Sequence, residues 1–315
     1  MCGIVGLHLK TADLYPRLGE LLTPMLECMT SRGPDSAGIA LYQDARYGPN
    51  NPDGLYGLYG GDEPRQPLFR YSVRPDTPVD WDALTRRLAA ELGTPVHVER
   101  HAEAATLVSA ADHRDLLDAL RGTAPEVVLV AYGRAMEVYK DVGAPADICE
   151  RYGVRKRAGY QGAGHTRMAT ESAVTTDHSH PFAPAADLAL VHNGSFSNYA
   201  SVRRRLAREG VHCRTDNDSE VAARYIARRM ERGADLGDAL RMVLKDFDGF
   251  FTLLVTTRTQ FAVVRDSFAC KPAVIAETPD YVAVASEYHA LAGLPAIADA
   301  EVFEPVPEEV YTWTR

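Results

Sequence analysis

The sequence predicts an α+β fold: a body of antiparallel strands with separate helices, interrupted by an inserted unit of its own. Three observations carry this. After Gly159, short strand-like runs are broken by polar turns, with helical stretches set apart from them, as in layered sheet-and-helix bodies. Between Phe69 and Ala131 the order is strand, helix, strand, strand, helix, strand, that of a ferredoxin-like unit. A Gly- and Pro-crowded stretch, Tyr47 to Pro78, including Gly54 to Gly61, reads as the linker or loop at the entry to that unit.

In chain order, Cys2–Leu7 is an apolar, β-capable run beginning one residue from the terminus, so the first strand starts with Cys2 itself. Leu18, Leu21, Leu22, Met25, Leu26 and Met29 recur at helical spacing, and Arg32-Gly33-Pro34-Asp35 stops that helix. Cys28 lies on it as a core residue. Ser36–Tyr42 is strand-like. The inserted unit then supplies a strand at Phe69–Val73, a helix at Trp81–Leu92, strands at Val96–Glu99 and Ala105–Ser109, a helix at Arg114–Leu120 and a strand at Val127–Ala131. The body resumes with strands at Gly162–Met168, Leu188–Val191, Gly249–Thr256, Phe261–Arg265, Ala273–Ala276 and Val282–Ser286, and with helices at Tyr199–Glu209 and Ser219–Arg232. These readings divide the chain into a body, residues 1–44 plus 158–315, and an inserted subdomain, 45–157, both of plausible domain size.

Composition narrows the function. Of 315 residues 46% are hydrophobic and 24% charged, which is globular and excludes disordered, collagenous and coiled-coil classes. Lys plus Arg total 34 against 43 Asp plus Glu, a net charge of −9 that repels a phosphate backbone, so nucleic acid is not an expected partner. The five cysteines, Cys2, Cys28, Cys149, Cys213 and Cys270, lie far apart without a CxxC pair, which fits reduced thiols in a cytosol. Cys2–Leu9 is too short for a leader or a membrane span, so a cytoplasmic chain with no membrane partner is expected.

Several residues carry chemistry. With Met1 removed, the Cys2 thiol lies beside its own α-amine, which is partly neutral near pH 7 and able to take the thiol proton. Asn193-Gly194 reads as a tight hairpin turn, a conformation that also presents the Asn193 amide and the Gly194 N–H toward one point, as an oxyanion requires. Arg167 reads either as a surface arginine or as a fork for a carboxylate, and Asp218 either as a helix cap or as a partner for an ammonium. Asp177-His178-Ser179-His180-Pro181 reads as a Pro-containing turn and not as a metal site, and no metal or cofactor is expected.

Six ordered motifs resemble the class II glutamine amidotransferases, whose catalytic domain is an N-terminal nucleophile hydrolase. They are Met1-Cys2-Gly3-Ile4-Val5-Gly6, Arg32-Gly33-Pro34-Asp35-Ser36-Ala37-Gly38, Gly164-His165-Thr166-Arg167-Met168-Ala169-Thr170, Val191-His192-Asn193-Gly194, Asp218-Ser219-Glu220 and Ala285-Ser286-Glu287. The resemblance implies a four-layer αββα core. It implies Cys2 as nucleophile, Asn193 and Gly194 as oxyanion donors, Arg167 as the glutamine-carboxylate anchor, Thr170 as a further substrate-binding residue, Asp218 with the Gly194 region as ammonium anchor, and Arg32 ordering the loop beside Cys2. Met168 and Glu171 depart from family members that carry Trp and His around this segment, and Glu171 would repel a substrate carboxylate. Cys270-Lys271-Pro272 resembles another family turn, with Cys270 in a packing role.

The reaction so implied hydrolyses L-glutamine to glutamate and ammonia through a γ-glutamyl thioester. No stretch after Ala300 can hold an ammonia-consuming domain, so the acceptor is expected on separate synthase subunits. The chain looks like the small amidotransferase subunits of glutamate-synthase-like complexes such as N-methylglutamate synthase, with the insertion as the docking surface. A free-standing amidohydrolase of γ-glutamyl compounds and a non-catalytic glutamine-sensing subunit remain as alternatives. The last is weakened because every catalytic position is filled.

Overall fold

The computed structural model describes residues 2–43, 68–168 and 174–315. Met1, the segment Gly54 to Gly61, Thr170 and Glu171 lie outside them. The first part of the body contains β1 (Gly3–Leu9), α1 (Leu18–Glu27) and β2 (Ser36–Tyr42). The inserted unit contains β3 (Phe69–Pro75), α2 (Trp81–Leu92), β4 (Val96–His101), β5 (Ala104–Ser109), α3 (His113–Thr123) and β6 (Val127–Gly133). The body continues with β7 (Met136–Val142), α4 (Pro145–Arg151), β8 (Gln161–Arg167), β9 (Phe182–Ala185) and β10 (Leu188–Phe196). Helices α5 (Tyr199–Arg208), α6 (Asp218–Glu231) and α7 (Leu236–Asp246) follow. Strands β11 (Gly249–Thr256), β12 (Gln260–Arg265), β13 (Val274–Glu277), β14 (Tyr281–Ala285), β15 (Glu301–Phe303) and β16 (Val310–Thr314) close the chain.

Two antiparallel sheets form the body. One has the order β15-β13-β14-β1-β8-β2-β7 and the other β16-β12-β11-β10-β9. Ile4, Ala163, Val191, Leu254, Phe261, Val263, Ile275, Val282 and Val284 are the apolar filling between them. On its outer face the larger sheet buries Leu18, Leu22, Met25 and Leu26 of α1, together with Ile148 of α4. The smaller sheet is covered by Val202 and Leu206 of α5, Val221 and Ile226 of α6, and Leu240 and Val243 of α7. These are the four layers, helix, sheet, sheet, helix, that the resemblance implied, and Cys28 packs against the first helical core.

The inserted unit orders its strands β4-β5-β3-β6, each pair antiparallel. That is the ferredoxin-like arrangement, in which each helix crosses to a strand two places away. Leu84 and Leu88 of α2 and Leu116 and Leu120 of α3 pack on Tyr71, Val73 and Leu107 of its sheet. The unit ends sooner than residue 157. Strand β7 pairs with β2 across its whole length, Ser36 opposite Val142 through Tyr42 opposite Met136, and α4 lies on the body. The sequence hides this strand because Glu137, fully buried, breaks its apolar alternation. Glu137 is held there by Arg70 of β3 and accepts a 2.5 Å hydrogen bond from the Tyr139 hydroxyl.

Candidate active site

Cys2 precedes β1, whose registers with β8 (Gly3 opposite Thr166) and β14 (Val5 opposite Ala285) place it where the ends of those two strands meet. The Cys2 carbonyl is fixed by two side chains, one from a strand of the smaller sheet and one from a turn beside the larger. Arg32 donates to it from Nε at 2.9 Å, and Asn193 donates from Nδ2 at 3.0 Å. Two donors on one carbonyl pin the main chain of the residue that carries the thiol. The amide nitrogen of Asn193 has a second hydrogen that this bond leaves available. The thiol itself lies 3.9 Å from the Met168 carbonyl oxygen.

Arg32 ends a short 3-10 turn, Thr30–Arg32, and is buried. Its Nη1 pairs with Glu287 Oε1 at 2.6 Å, just past the end of β14. Ser286 bonds both polar backbone groups of Ile4, through Oγ and through its own N–H, each at 2.9 Å. The motif Ala285-Ser286-Glu287 carries no role legible in the sequence; in the structure it holds the start of β1 and orients Arg32.

Asn193-Gly194 is not a turn. Both residues lie inside β10, opposite Thr252 and Phe251 of β11. Gly194 has φ +148°, and a Cβ there would lie 2.7 Å from Phe251 Cα, 2.9 Å from His192 Nε2 and closer still to the Phe250 carbonyl oxygen. Only glycine fits, and the conformation the Asn-Gly pair tolerates is spent inside a strand.

Asp218 does not cap its helix. Asn217 does, accepting from the Ser219 N–H at 2.8 Å. As the first residue of α6, Asp218 turns its carboxylate to β10: Oδ2 accepts from the Phe196 N–H at 2.9 Å, and Oδ1 from the Ser219 hydroxyl at 3.2 Å. A carboxylate at a helix N-terminus is also favoured by the helix dipole. Arg167 is buried at the end of β8, where its carbonyl accepts from the Asp35 N–H at 3.1 Å. The structure therefore ties Cys2, Arg32 and Asn193 together by hydrogen bonds. Gly194 adjoins Asn193, and Asp218 is bonded to the same strand.

Three buried histidines brace that strand. His192 donates its N–H to His180 Nδ1 at 3.3 Å, and its carbonyl lies 2.9 Å from His165 Nε2. The rings of His165 and His180 stack with centroids 4.0 Å apart. Burial lowers the pKa of His165 to about 3, that of His180 well below the ordinary value, and that of His192 despite the nearby Asp218 carboxylate. All three are neutral at pH 7. His178 pairs with Asp216 at 2.6 Å while His180 is in the interior, so the two imidazoles of the His178-Ser179-His180 segment serve different neighbours. Cys270 is exposed. No helix among the described residues is long and apolar enough to cross a membrane.

Residues 165–293 match a family described as the glutamine amidotransferase domain. Over 314 residues the chain is 47% identical to the glutamine amidotransferase-like protein GlxB of Rhizobium meliloti, covering 99% of this chain and 98% of that one. A relative from Methanothermobacter thermautotrophicus is 31% identical over 316 residues, 99% of each chain. The fold is similar to that of the solved glutamine phosphoribosylpyrophosphate amidotransferase from B. subtilis, with a TM-score of 0.59 at 18% identity over 99% of this chain and 49% of that one. The chain thus spans about half the length of that structure.

Proposed function

Because this chain belongs to the class II glutamine amidotransferase family, we propose that it is the glutaminase subunit of an amidotransferase, releasing ammonia from L-glutamine for a synthase subunit on a separate chain. The observation that carries the reading is the meeting of Asn193 from one sheet and Arg32 beside the other on the carbonyl of Cys2. A thiol whose main chain is pinned this way is held for attack, with an amide N–H beside it for the charge that attack creates.

In this reading the α-amine of Cys2, freed by removal of Met1, takes the thiol proton, and Sγ attacks the γ-carbonyl carbon of glutamine. The oxyanion is stabilised by the second Asn193 amide hydrogen and the Gly194 N–H. Collapse breaks the C–N bond, the amine returns its proton to the leaving nitrogen, and ammonia departs from a γ-glutamyl thioester. Water, losing a proton to the same amine, then cleaves the thioester to glutamate and restores the thiol. Arg167 takes the substrate carboxylate and Asp218 its ammonium; the family motif assigns Thr170 to substrate binding as well.

The acceptor is a glutamate-synthase-like or N-methylglutamate-synthase-like subunit, and the inserted unit is its docking element. A relative of the same extent, GlxB of Rhizobium meliloti, supports a family member of this size. The test is glutamate release by the chain alone and with the proteins that copurify with it. Stimulation by a copurified synthase, lost in Cys2→Ala, supports the proposal. Full-speed turnover of glutamine or a γ-glutamyl peptide with no partner effect replaces it with a free-standing amidohydrolase.

A further inference from the structure

Asn193 and His192 are neighbours on β10. Alternation sends Asn193 toward Cys2 and His192 toward the helices, where its ring stacks on Phe196 with centroids 4.5 Å apart. His192 Nδ1 lies 2.8 Å from Ser219 Oγ, and Ser219 Oγ lies 3.2 Å from Asp218 Oδ1. One assignment of protons satisfies both contacts. Ser219 must donate to the carboxylate, which only accepts, so its oxygen accepts from His192 Nδ1–H. The tautomer thus fixed leaves Nε2 as a bare acceptor, and Nε2 is indeed buried without a hydrogen-bond partner.

We propose that His192 is a positioning residue for glutamine capture, acting through Ser219 to aim the Asp218 carboxylate at the substrate ammonium. The inference rests on the glutaminase reading and assigns a specific duty within it. The relay has direction. His192 is anchored by its own backbone to His165 and His180, so the relay begins on a rigid strand and ends on a carboxylate one-fifth exposed. With the Phe196 N–H on Oδ2 and Ser219 on Oδ1, each carboxylate oxygen is met by one protein donor and retains lone pairs for an ammonium.

The test compares His192→Leu, His192→Asn and Ser219→Ala in steady-state glutamine hydrolysis. Asparagine can place an amide N–H near the position of Nδ1; leucine cannot. His192→Leu and Ser219→Ala should each raise KM about 10- to 100-fold, the loss of one hydrogen bond in a charged chain, with kcat within about threefold. His192→Asn should recover most of the KM. The double variant should be no worse than the poorer single one, because both break one relay. Cys2 should react with iodoacetamide, which has no ammonium, at the parent rate in every variant.

An unchanged KM in Ser219→Ala overturns the proposal, and that variant decides the matter if His192→Leu does not fold. Equal losses of kcat and iodoacetamide reactivity, with no rescue by asparagine, also overturn it, since they mark a general packing role. A parent protein that hydrolyses no glutamine, alone or with its copurified proteins, instead removes the glutaminase reading.

Discussion

Replacing Gly194 by alanine tests whether the centre of β10 is built around a glycine for steric reasons. The added Cβ would meet the Phe250 carbonyl oxygen, Phe251 Cα at 2.7 Å and His192 Nε2 at 2.9 Å. The first two are backbone atoms of the paired strand and cannot swing aside. Holding alanine at φ +148° costs about 1–3 kcal/mol, and parting β10 from β11 there weakens one or two ladder hydrogen bonds at about 0.5–1.5 kcal/mol each. The expected loss is about 1.5–6 kcal/mol, a fall in Tm of roughly 2–9 °C for a chain of 315 residues. Because Asn193 adjoins the displaced residue, a shift near 1 Å should also lower glutaminase kcat by about 100-fold. Calorimetry and a coupled glutamate assay read the two effects. As a control, Gly122→Ala in α3, where a Cβ meets nothing within 4 Å, should gain about 0.5–1 kcal/mol and leave activity alone. A Gly194→Ala protein with parental Tm and kcat would refute the steric argument.

Arg167→Lys should raise KM for glutamine by about 1.5–3 kcal/mol in free energy, because a point charge cannot make two parallel bonds to a carboxylate; unchanged kinetics would remove Arg167 from the pocket. Glu137→Leu should cost about 1–3 kcal/mol in urea unfolding, since it leaves the Arg70 guanidinium with Glu99 alone and takes the acceptor from the Tyr139 hydroxyl. Stability should also fall on acidification below pH 6.5. The unfolded chain protonates its histidines there, while burial holds His165 neutral down to about 3, and it lowers His180 well below its ordinary value and His192 as well. Each such group loses about 1.4 kcal/mol per pH unit between the unfolded and folded values and nothing above them. Glu137 adds to this at lower pH: burial pushes its carboxyl up, but Arg70 and Arg157 overcome that and hold it at about 2. A Tm flat from pH 7 to pH 5 would contradict the neutral brace.

Some of this was legible because it is local. The N-terminal strand, α1 and β2 follow from apolar runs and a Gly-Pro stop, and the ferredoxin-like unit follows from its order of elements. Asn193-Gly194 misleads for the same reason: the pair signals a turn locally, and only pairing with β11 shows that its tolerance of positive φ serves inside a strand. Strand β7 was missed because a buried, arginine-paired glutamate looks like a surface residue in sequence. The helix Leu236–Asp246 and the last two strands likewise went unread. The duties of Glu287 and Ser219 depend on partners 255 and 27 residues away, which no local pattern reports.

The central claim is that Cys2 is the nucleophile in a pocket for glutamine. Its most direct test is the mass of the protein, with peptide mapping, after exposure to a diazoketone analogue of glutamine. The expected product is a chain lacking Met1 with one adduct, located on Cys2 and formed at a rate that free glutamine competitively slows, and no adduct at Cys28, Cys149, Cys213 or Cys270. An adduct on another cysteine, or a chain that hydrolyses glutamine with Met1 in place, would contradict it.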